Sequence, residues 1–318
     1  MTSSPTERYF LRDAICLSPQ YSTTRLLMPL AQNSEPPAAA CEIRGGLRCQ
    51  GYRKVSFPAE RKPLVTIITS VRNGGKHLEE SIQSVLNQSY DNIEYILVDG
   101  GSTDSTLQIL RAHESQIDLW ISEPDKGIYD AWNKALSHAH GDWIAFIGSD
   151  DVFYGAAVSS YVDFLRGQPP GLEFVSSRVE LIRDNQVERV VGAPWNWRTF
   201  ASYMKIAHPG AMHSRALFER LGCFDAAYKV SGDYELLLRA RDRLAAAYLP
   251  AVTLRMRVGG NSEFNPKEGA ETLRAKVVSG GRNRWLCYWE LRLAAAKKHF
   301  RHMYRRWRSR QSGLPRST

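Results

Sequence analysis

Four short apolar runs, Leu64–Val71, Ile93–Val98, Asp118–Ser122 and Asp142–Ile147, recur between polar stretches in the first half of the chain. The first of them, Leu64-Val65-Thr66-Ile67-Ile68-Thr69, is β-branched and nearly unbroken, as a strand buried on both faces should be. Between the runs, apolar residues fall at helical spacing: Leu78, Ile82, Val85 and Leu86, then Leu107, Ile109 and Leu110, then Ile128, Ala131, Trp132, Ala135 and Leu136. Strands alternating with helices predict an α/β, Rossmann-like fold with a mainly parallel central sheet flanked by helices. In such sheets ligands bind beyond the carboxyl ends of the strands.

That edge is where the chain keeps its chemistry. The first run opens into Ser70-Val71-Arg72-Asn73-Gly74-Gly75-Lys76, which lacks the G-x-x-x-x-G-K-[ST] spacing of a phosphate loop and any G-x-G-x-x-G. The second ends in Asp99-Gly100-Gly101-Ser102-Thr103-Asp104. Asp99 is read as a ligand contact, because the glycines let backbone approach a ligand closely, and Asp104 as a helix cap. Asp125, Lys126 and Asn133 lie in or after a polar loop at a helix start, a place suited to a phosphate or sugar. The fourth run delivers Gly148-Ser149-Asp150-Asp151. Adjacent carboxylates repel unless a cation neutralises them, and carboxylate oxygens suit Mg²⁺ or Mn²⁺. The plainer reading of that doublet is an acidic cap of the next helix.

Together these segments resemble the nucleotide-sugar-dependent glycosyltransferases of family 2, which have the GT-A fold. The likeness is carried by Val65–Asn73, Asn87–Tyr90, Val98–Asp104, Glu123–Ala131, Asn133-Lys134, Ala139–Asp142 and Ser149–Asp151, and more loosely by residues 205–240. The resemblance implies that Ser70, Arg72 and Asn73 line the base and ribose pocket and that Asp99 bonds the nucleobase. It further implies that Asp150 and Asp151 form the metal motif, with Asp151 the better ligand and Asp150 nearer the ribose. Ser70-Val71-Arg72-Asn73 departs from the family by lacking an aromatic residue, a role Arg72 could take through its guanidinium plane.

The second half is patterned more loosely, with Phe174–Val179 as a strand, Arg215–Leu221 as a helix, and a further helix opened by Ser231-Gly232-Asp233-Tyr234-Glu235. The resemblance makes a carboxylate at that helix start the general base of an inverting transferase: Asp233, with Glu235 as fallback. An Asp there could equally cap its helix. His208, Trp195 and Trp197 are weaker candidates for acceptor contacts, each with a structural alternative.

Charge changes the picture at the C-terminus. Residues 282–318 hold eleven Lys and Arg against the single acid Glu290, while the rest of the chain carries 31 basic and 32 acidic residues. Trp289, Leu293, Ala296, Phe300, Tyr304 and Trp307 fall on one helical face, bordered by Arg292, Lys297, Lys298, Arg301, Arg305 and Arg308. A basic helix with an aromatic face predicts an amphipathic tail on an anionic membrane surface, in preference to nucleic acid.

Five scattered cysteines without a C-x-x-C pair argue for a reducing compartment and against a disulfide framework or a zinc site. No apolar run approaches the ~20 residues needed to cross a bilayer, and the N-terminus lacks the pattern of a secretory signal. The expected division is an irregular extension over 1–62, a nucleotide-sugar-binding half over 63–155, an acceptor half over 156–280 and the basic tail over 281–318. The Gly45-Gly46-Leu47-Arg48 run is placed back against the main domain. The function expected is an inverting, Mn²⁺- or Mg²⁺-dependent hexosyltransferase at the cytoplasmic membrane face, extending a lipid-linked glycan in bacterial surface polysaccharide or glycolipid synthesis. The alternatives are a nucleotidyltransferase and a non-catalytic membrane- or RNA-binding protein.

Overall fold

The computed structural model describes residues 14–30, 42–259, 266–294 and 296. Two short strands, β1 (Met28–Pro29) and β3 (Tyr52–Arg53), pair with each other. All other strands join one sheet of ten. Its centre is built by β4 (Val65–Val71), β5 (Ile93–Asp99), β6 (Leu119–Ser122) and β7 (Trp143–Gly148). β4 runs parallel to both β5 and β7, and β5 runs parallel to β6. These are the four apolar runs of the sequence, and every residue of β5 is buried, as continuous apolar strands demand.

Helices α1 (Leu78–Leu86), α2 (Thr106–Ala112) and α3 (Ile128–His138) connect these strands. Beyond them come β8 (Val152–Phe153), α4 (Ala157–Arg166), β9 (Phe174–Arg183), β10 (Gln186–Val191), α5 (Trp197–Ser202), β11 (Met212–Ser214), α6 (Arg215–Leu221), α7 (Gly232–Ala240), β12 (Ala246–Arg257) and α8 (Glu268–Val278). A further helix begins at residue 284. β11 pairs antiparallel between β7 and β9, and β12 lies parallel to β9, so the second half completes the sheet begun by the first.

Alternate residues of each central strand point to opposite layers. Ile67, Tyr95, Leu97 and Ile147 pack with α1, α2 and α4. Ile68, Ile96, Val98 and Phe146 pack with α3, α6 and α7. The result is a three-layer α/β fold whose loops gather at the carboxyl edge of β4–β7.

The N-terminal extension is less irregular than its sequence suggests. β2 (Ile43–Gly45) pairs antiparallel with β6 and so extends the sheet. Leu47 is fully buried, and Arg48 donates to the His138 carbonyl at 2.7 Å. Lys54, also buried, donates to the Ile93 carbonyl and, at 2.9 Å, to Asp118 Oδ2. The Gly45–Arg48 run therefore packs back as expected. The boundary at 62 marks a change of pattern, with no break in the sheet.

Candidate functional site

The first wall is the turn after β4. Asn73 has φ +53°, a left-handed conformation that Asn tolerates because its short amide bonds locally. Its Oδ1 accepts the Thr103 N–H at 2.9 Å, and its own N–H donates to Ser102 Oγ at 2.7 Å. The β4 and β5 loops are thus locked together, with Arg72 exposed at the rim and Ser70 half-buried beneath it. Asp104 stands one residue ahead of the α2 N-cap, Ser105, and ties the helix start to the first loop: its Oδ1 accepts the Thr106 N–H at 3.0 Å and its Oδ2 accepts the Gly75 N–H at 2.9 Å.

Asp99 ends β5 and is fully buried. Ser102 Oγ donates to its Oδ1 at 2.5 Å, and Ser122 Oγ donates to its Oδ2 at 2.7 Å. The two serines, neither of which the sequence singled out for this task, hold the carboxylate rigid. Over the next residue lies Asp125. A Cβ built on Gly100 would stand 2.2 Å from Asp125 Oδ2, so glycine is what admits this carboxylate. Asp125 Oδ1 accepts the Gly127 N–H at 2.8 Å, fixing the turn before α3. Lys126 is exposed at the tip of the same turn.

Asn133 does not face this edge with free polar atoms. Its amide nitrogen donates to the Phe224 carbonyl at 2.8 Å and its oxygen accepts the Phe224 N–H at 3.0 Å. The donor-contact expectation is corrected for this residue: it clamps α3 to the loop before α7.

At the end of β7, Asp151 is buried while Asp150 is half-buried. Asp151 Oδ2 accepts the Gly148 N–H at 3.1 Å, and its Oδ1 accepts the Arg257 N–H at 3.2 Å. Burial, with the charge of Asp150 added, pushes Asp151 up to about 7. Arg257, which the sequence did not flag, braces the turn: its guanidinium donates to the Asp150 carbonyl at 2.6 Å and to Glu80 Oε2 at 2.7 Å. The doublet suits a hard divalent cation, since one is the direct remedy for a carboxylate held so unfavourably. Among the described residues no three His, Cys, Asp or Glu side chains converge to hold a metal unaided. Two carboxylates with the remaining positions open to water and phosphate is the usual manner of binding Mg²⁺.

Asp233 lies in the first turn of α7, half-buried. Its Oδ1 accepts the Tyr234 N–H at 2.8 Å and stands 3.2 Å from the Tyr129 hydroxyl. Burial pushes Asp233 up to about 6, and the Tyr234 N–H only partly offsets it. The Tyr129 ring passes within 2.7 Å of where a Cβ on Gly232 would sit, so this approach needs glycine. A hydroxyl on the apolar stripe of α3 was the signal available in the sequence for Tyr129.

Four acceptor candidates are corrected. Glu235 is buried and accepts both Arg239 Nε at 2.8 Å and Arg239 Nη2 at 2.5 Å, so it is a structural ion pair and no fallback base. The i, i+4 spacing of that pair was legible in the sequence. His208 is buried against Trp132 and Phe146, with ring centroids at 5.5 and 5.8 Å, and burial pushes it down to about 3. It is a neutral packing residue. Trp195 packs on Phe200 at 4.5 Å, and both Trp195 and Trp197 lie half-buried against the core, more wall than open shelf.

In the tail, Cys287 is buried while Trp285, Trp289 and Leu293 are exposed by 72%, 62% and 59%. The apolar face of the helix from residue 284 thus points away from the body. Phe300, Tyr304, Trp307, Lys297, Lys298, Arg301, Arg305 and Arg308 lie outside the described residues. Among the described residues no helix is long and apolar enough to cross a membrane.

The sequence model of glycosyl transferase family 2 matches residues 66–230, a span that holds Asp99, Asp125, Asp150 and Asp151 and ends just before α7 and Asp233. An uncharacterized glycosyltransferase of Mycobacterium tuberculosis is 34% identical over 182 residues, covering 56% of this chain and 69% of its own length. A PGL/p-HBAD biosynthesis glycosyltransferase of the same species is 28% identical over 180 residues, with the same coverage of 56% and 69%. Among solved structures, Staphylococcus aureus TarS 1–349 in complex with UDP-GlcNAc superposes with a TM-score of 0.56 at 16% identity, covering 72% of this chain and 70% of that one. That likeness shares the GT-A fold.

Proposed function

The chain belongs to glycosyl transferase family 2, and from that premise we propose that it is an inverting, metal-dependent transferase taking a nucleotide-sugar donor to a lipid-linked glycan acceptor. The observation that carries the reading is Asp233, a half-buried carboxylate pushed up to about 6 at the start of α7. A general base works best with a pKa near the working pH, and an unperturbed aspartate, near 3.8, is too weak. As the acceptor hydroxyl attacks the anomeric carbon, its proton passes to Asp233. The bond from that carbon to the diphosphate oxygen breaks, and the nucleoside diphosphate leaves with the electron pair.

Asp150 and Asp151 would hold Mn²⁺ or Mg²⁺, which when bound stabilises the diphosphate as leaving group. Arg257 braces the turn for that task, through its N–H to the Asp151 carboxylate and its guanidinium to the Asp150 carbonyl. Asp99 and Asp125, with Ser70, Arg72, Asn73 and Lys126 around them, supply the polar groups for base, ribose and phosphate. That TarS was solved with UDP-GlcNAc supports a nucleotide-sugar donor on this fold. That a relative serves PGL/p-HBAD biosynthesis supports a glycolipid acceptor. The outward tryptophans and the eleven basic residues of 282–318 support a peripheral seat on the cytoplasmic face of the membrane.

The test is saturation-transfer NMR of the protein with UDP-, GDP- and dTDP-sugars, with and without Mn²⁺, followed by transfer assays on lipid-linked acceptors. Mn²⁺-dependent binding of one nucleotide class is expected. A folded protein that binds none of them would overturn the donor assignment.

A further inference from the structure

On the underside of the fold, away from the edge that holds Asp150 and Asp151, lies a cavity of about 420 Å³ lined by Arg220, Arg239, Arg241, Asp242, Arg243 and Ser279. Two of the four arginines are accounted for. Arg220 makes a bidentate pair with Glu173, at 2.6 and 2.7 Å. Arg239 grips Glu235 and donates to the Leu221 and Cys223 carbonyls at 2.9 and 2.7 Å. These are ordinary uses of arginine near helix C-termini.

Arg241 and Arg243 are different. Both are exposed, and neither makes an ion pair or side-chain hydrogen bond among the described residues. Arg241 is held at φ +53°, ψ −132°, a costly conformation for a residue with a side chain. Its guanidinium lies against Gly281, where a Cβ would meet Nη2 at 2.7 Å. The backbone is therefore distorted at an arginine that forms no ion pair among the described residues, and a glycine makes room for its head.

The cavity also has a meaningful address. Ser279 lines it, Gly281 touches Arg241, and the helix with outward Trp285 and Trp289 begins at residue 284. Tryptophan prefers the headgroup layer of a bilayer, and guanidinium pairs bidentately with phosphate. We propose that this cavity binds the phosphate of an anionic lipid headgroup, received by Arg241 and Arg243 at the foot of the membrane-facing helix. The lipid would dock the enzyme by that phosphate and orient it, and is no substrate of the reaction. The proposal rests on the membrane reading above and adds a discrete site to it.

The test is co-sedimentation of the full chain with vesicles of phosphatidylcholine alone and of phosphatidylcholine mixed with phosphatidylglycerol. Each Arg near the surface is worth ~1 kcal/mol, so Arg241→Ala/Arg243→Ala should lower partitioning onto the anionic vesicles by about tenfold or more. The charge-matched control Arg111→Ala/Arg189→Ala should leave it close to wild type. Arg241→Lys/Arg243→Lys keeps the charge and loses the fork, and should recover only part of the binding. Thermal melts check that each variant is folded.

Three results would overturn the site while leaving the membrane reading in place. The alanine pair could partition like wild type, the lysine pair could do so, showing diffuse charge alone, or inorganic phosphate could occupy the cavity without competing with vesicles, marking a soluble-anion site. If wild type itself ignores anionic vesicles, the membrane reading falls together with the cavity. If wild type binds and the alanine pair binds equally, the cavity alone falls.

Discussion

The Tyr129 hydroxyl lies 2.7 Å from the Val230 carbonyl and 3.2 Å from Asp233 Oδ1, and it has one proton to share between them. The carbonyl can only accept, and its bond is the shorter, so the proton is spent mainly there. Asp233 receives little stabilisation of its anion, and burial prevails. Tyr129→Phe should therefore move the acid limb of the pH–rate profile upward by less than about one pH unit. It should also cost about 1–2 kcal/mol of stability, because the Val230 carbonyl loses its donor. A pH–rate series with denaturant melts checks both.

Asp233→Asn should retain donor binding and lose about 10²–10⁴-fold in turnover. Its stability should move the other way. A carboxyl raised from 3.8 to about 6 by folding stabilises the protein below its unfolded value, and that contribution is lost as pH rises through about 6. Asparagine has no charge to bury, so the variant should gain about 1–3 kcal/mol over wild type at pH 8 and nothing at pH 3. Melts at both pH values decide it.

Gly100→Ala should fold, with the Asp125 carboxylate displaced and its bond to the Gly127 N–H weakened, at about 1 kcal/mol. Donor affinity should fall with it. In an Asp125→Ala background the same substitution should be close to neutral for stability, since the colliding oxygens are gone. A double-mutant cycle read by calorimetry and thermal melts settles the coupling.

Removing divalent metal should abolish transfer, and Asp151→Ala should weaken Mn²⁺ binding by about tenfold or more. With only two carboxylates in the protein's share, Mn²⁺ alone should bind weakly and tighten when nucleoside diphosphate is added. Paramagnetic resonance titrations test that order. Equal Mn²⁺ affinity with and without the nucleotide would refute it.

Lys54→Met should be severe, costing about 3–5 kcal/mol at pH 8, because Asp118 is left charged and buried. Burial already pushes Asp118 up to about 6 with Lys54 present. The loss should therefore shrink at pH 5, where Asp118 takes a proton. Lys54→Met/Asp118→Asn should recover much of the stability. Urea melts of the three proteins at both pH values test this.

The central strands were legible because burial on both faces leaves no polar alternation to misread, as in Ile93–Asp99. The carboxyl edge was legible because Asp150-Asp151 follow an apolar run whose end is sharp, whereas Asp233, at the start of α7, was singled out by the family resemblance alone. β2 escaped because three residues, Ile43-Arg44-Gly45, carry no period, and β10 because all but one of its residues are exposed. The partners of Asn133 and Lys54 escaped for a different reason. Both reach across 39 to 91 residues to main-chain atoms, and main-chain atoms leave no trace in a sequence.

β2 also closes something. Its pairing with β6 occupies the outer row of amides and carbonyls on that side of the sheet. A chain trimmed to the family match at residue 66 would leave Leu119–Ser122 as a bare apolar edge, a template for another molecule's strand. It would also strand Asp118 without its lysine. Shortened forms of this enzyme should accordingly precipitate during refolding, and the segment that looks most dispensable on paper is what keeps the molecules apart.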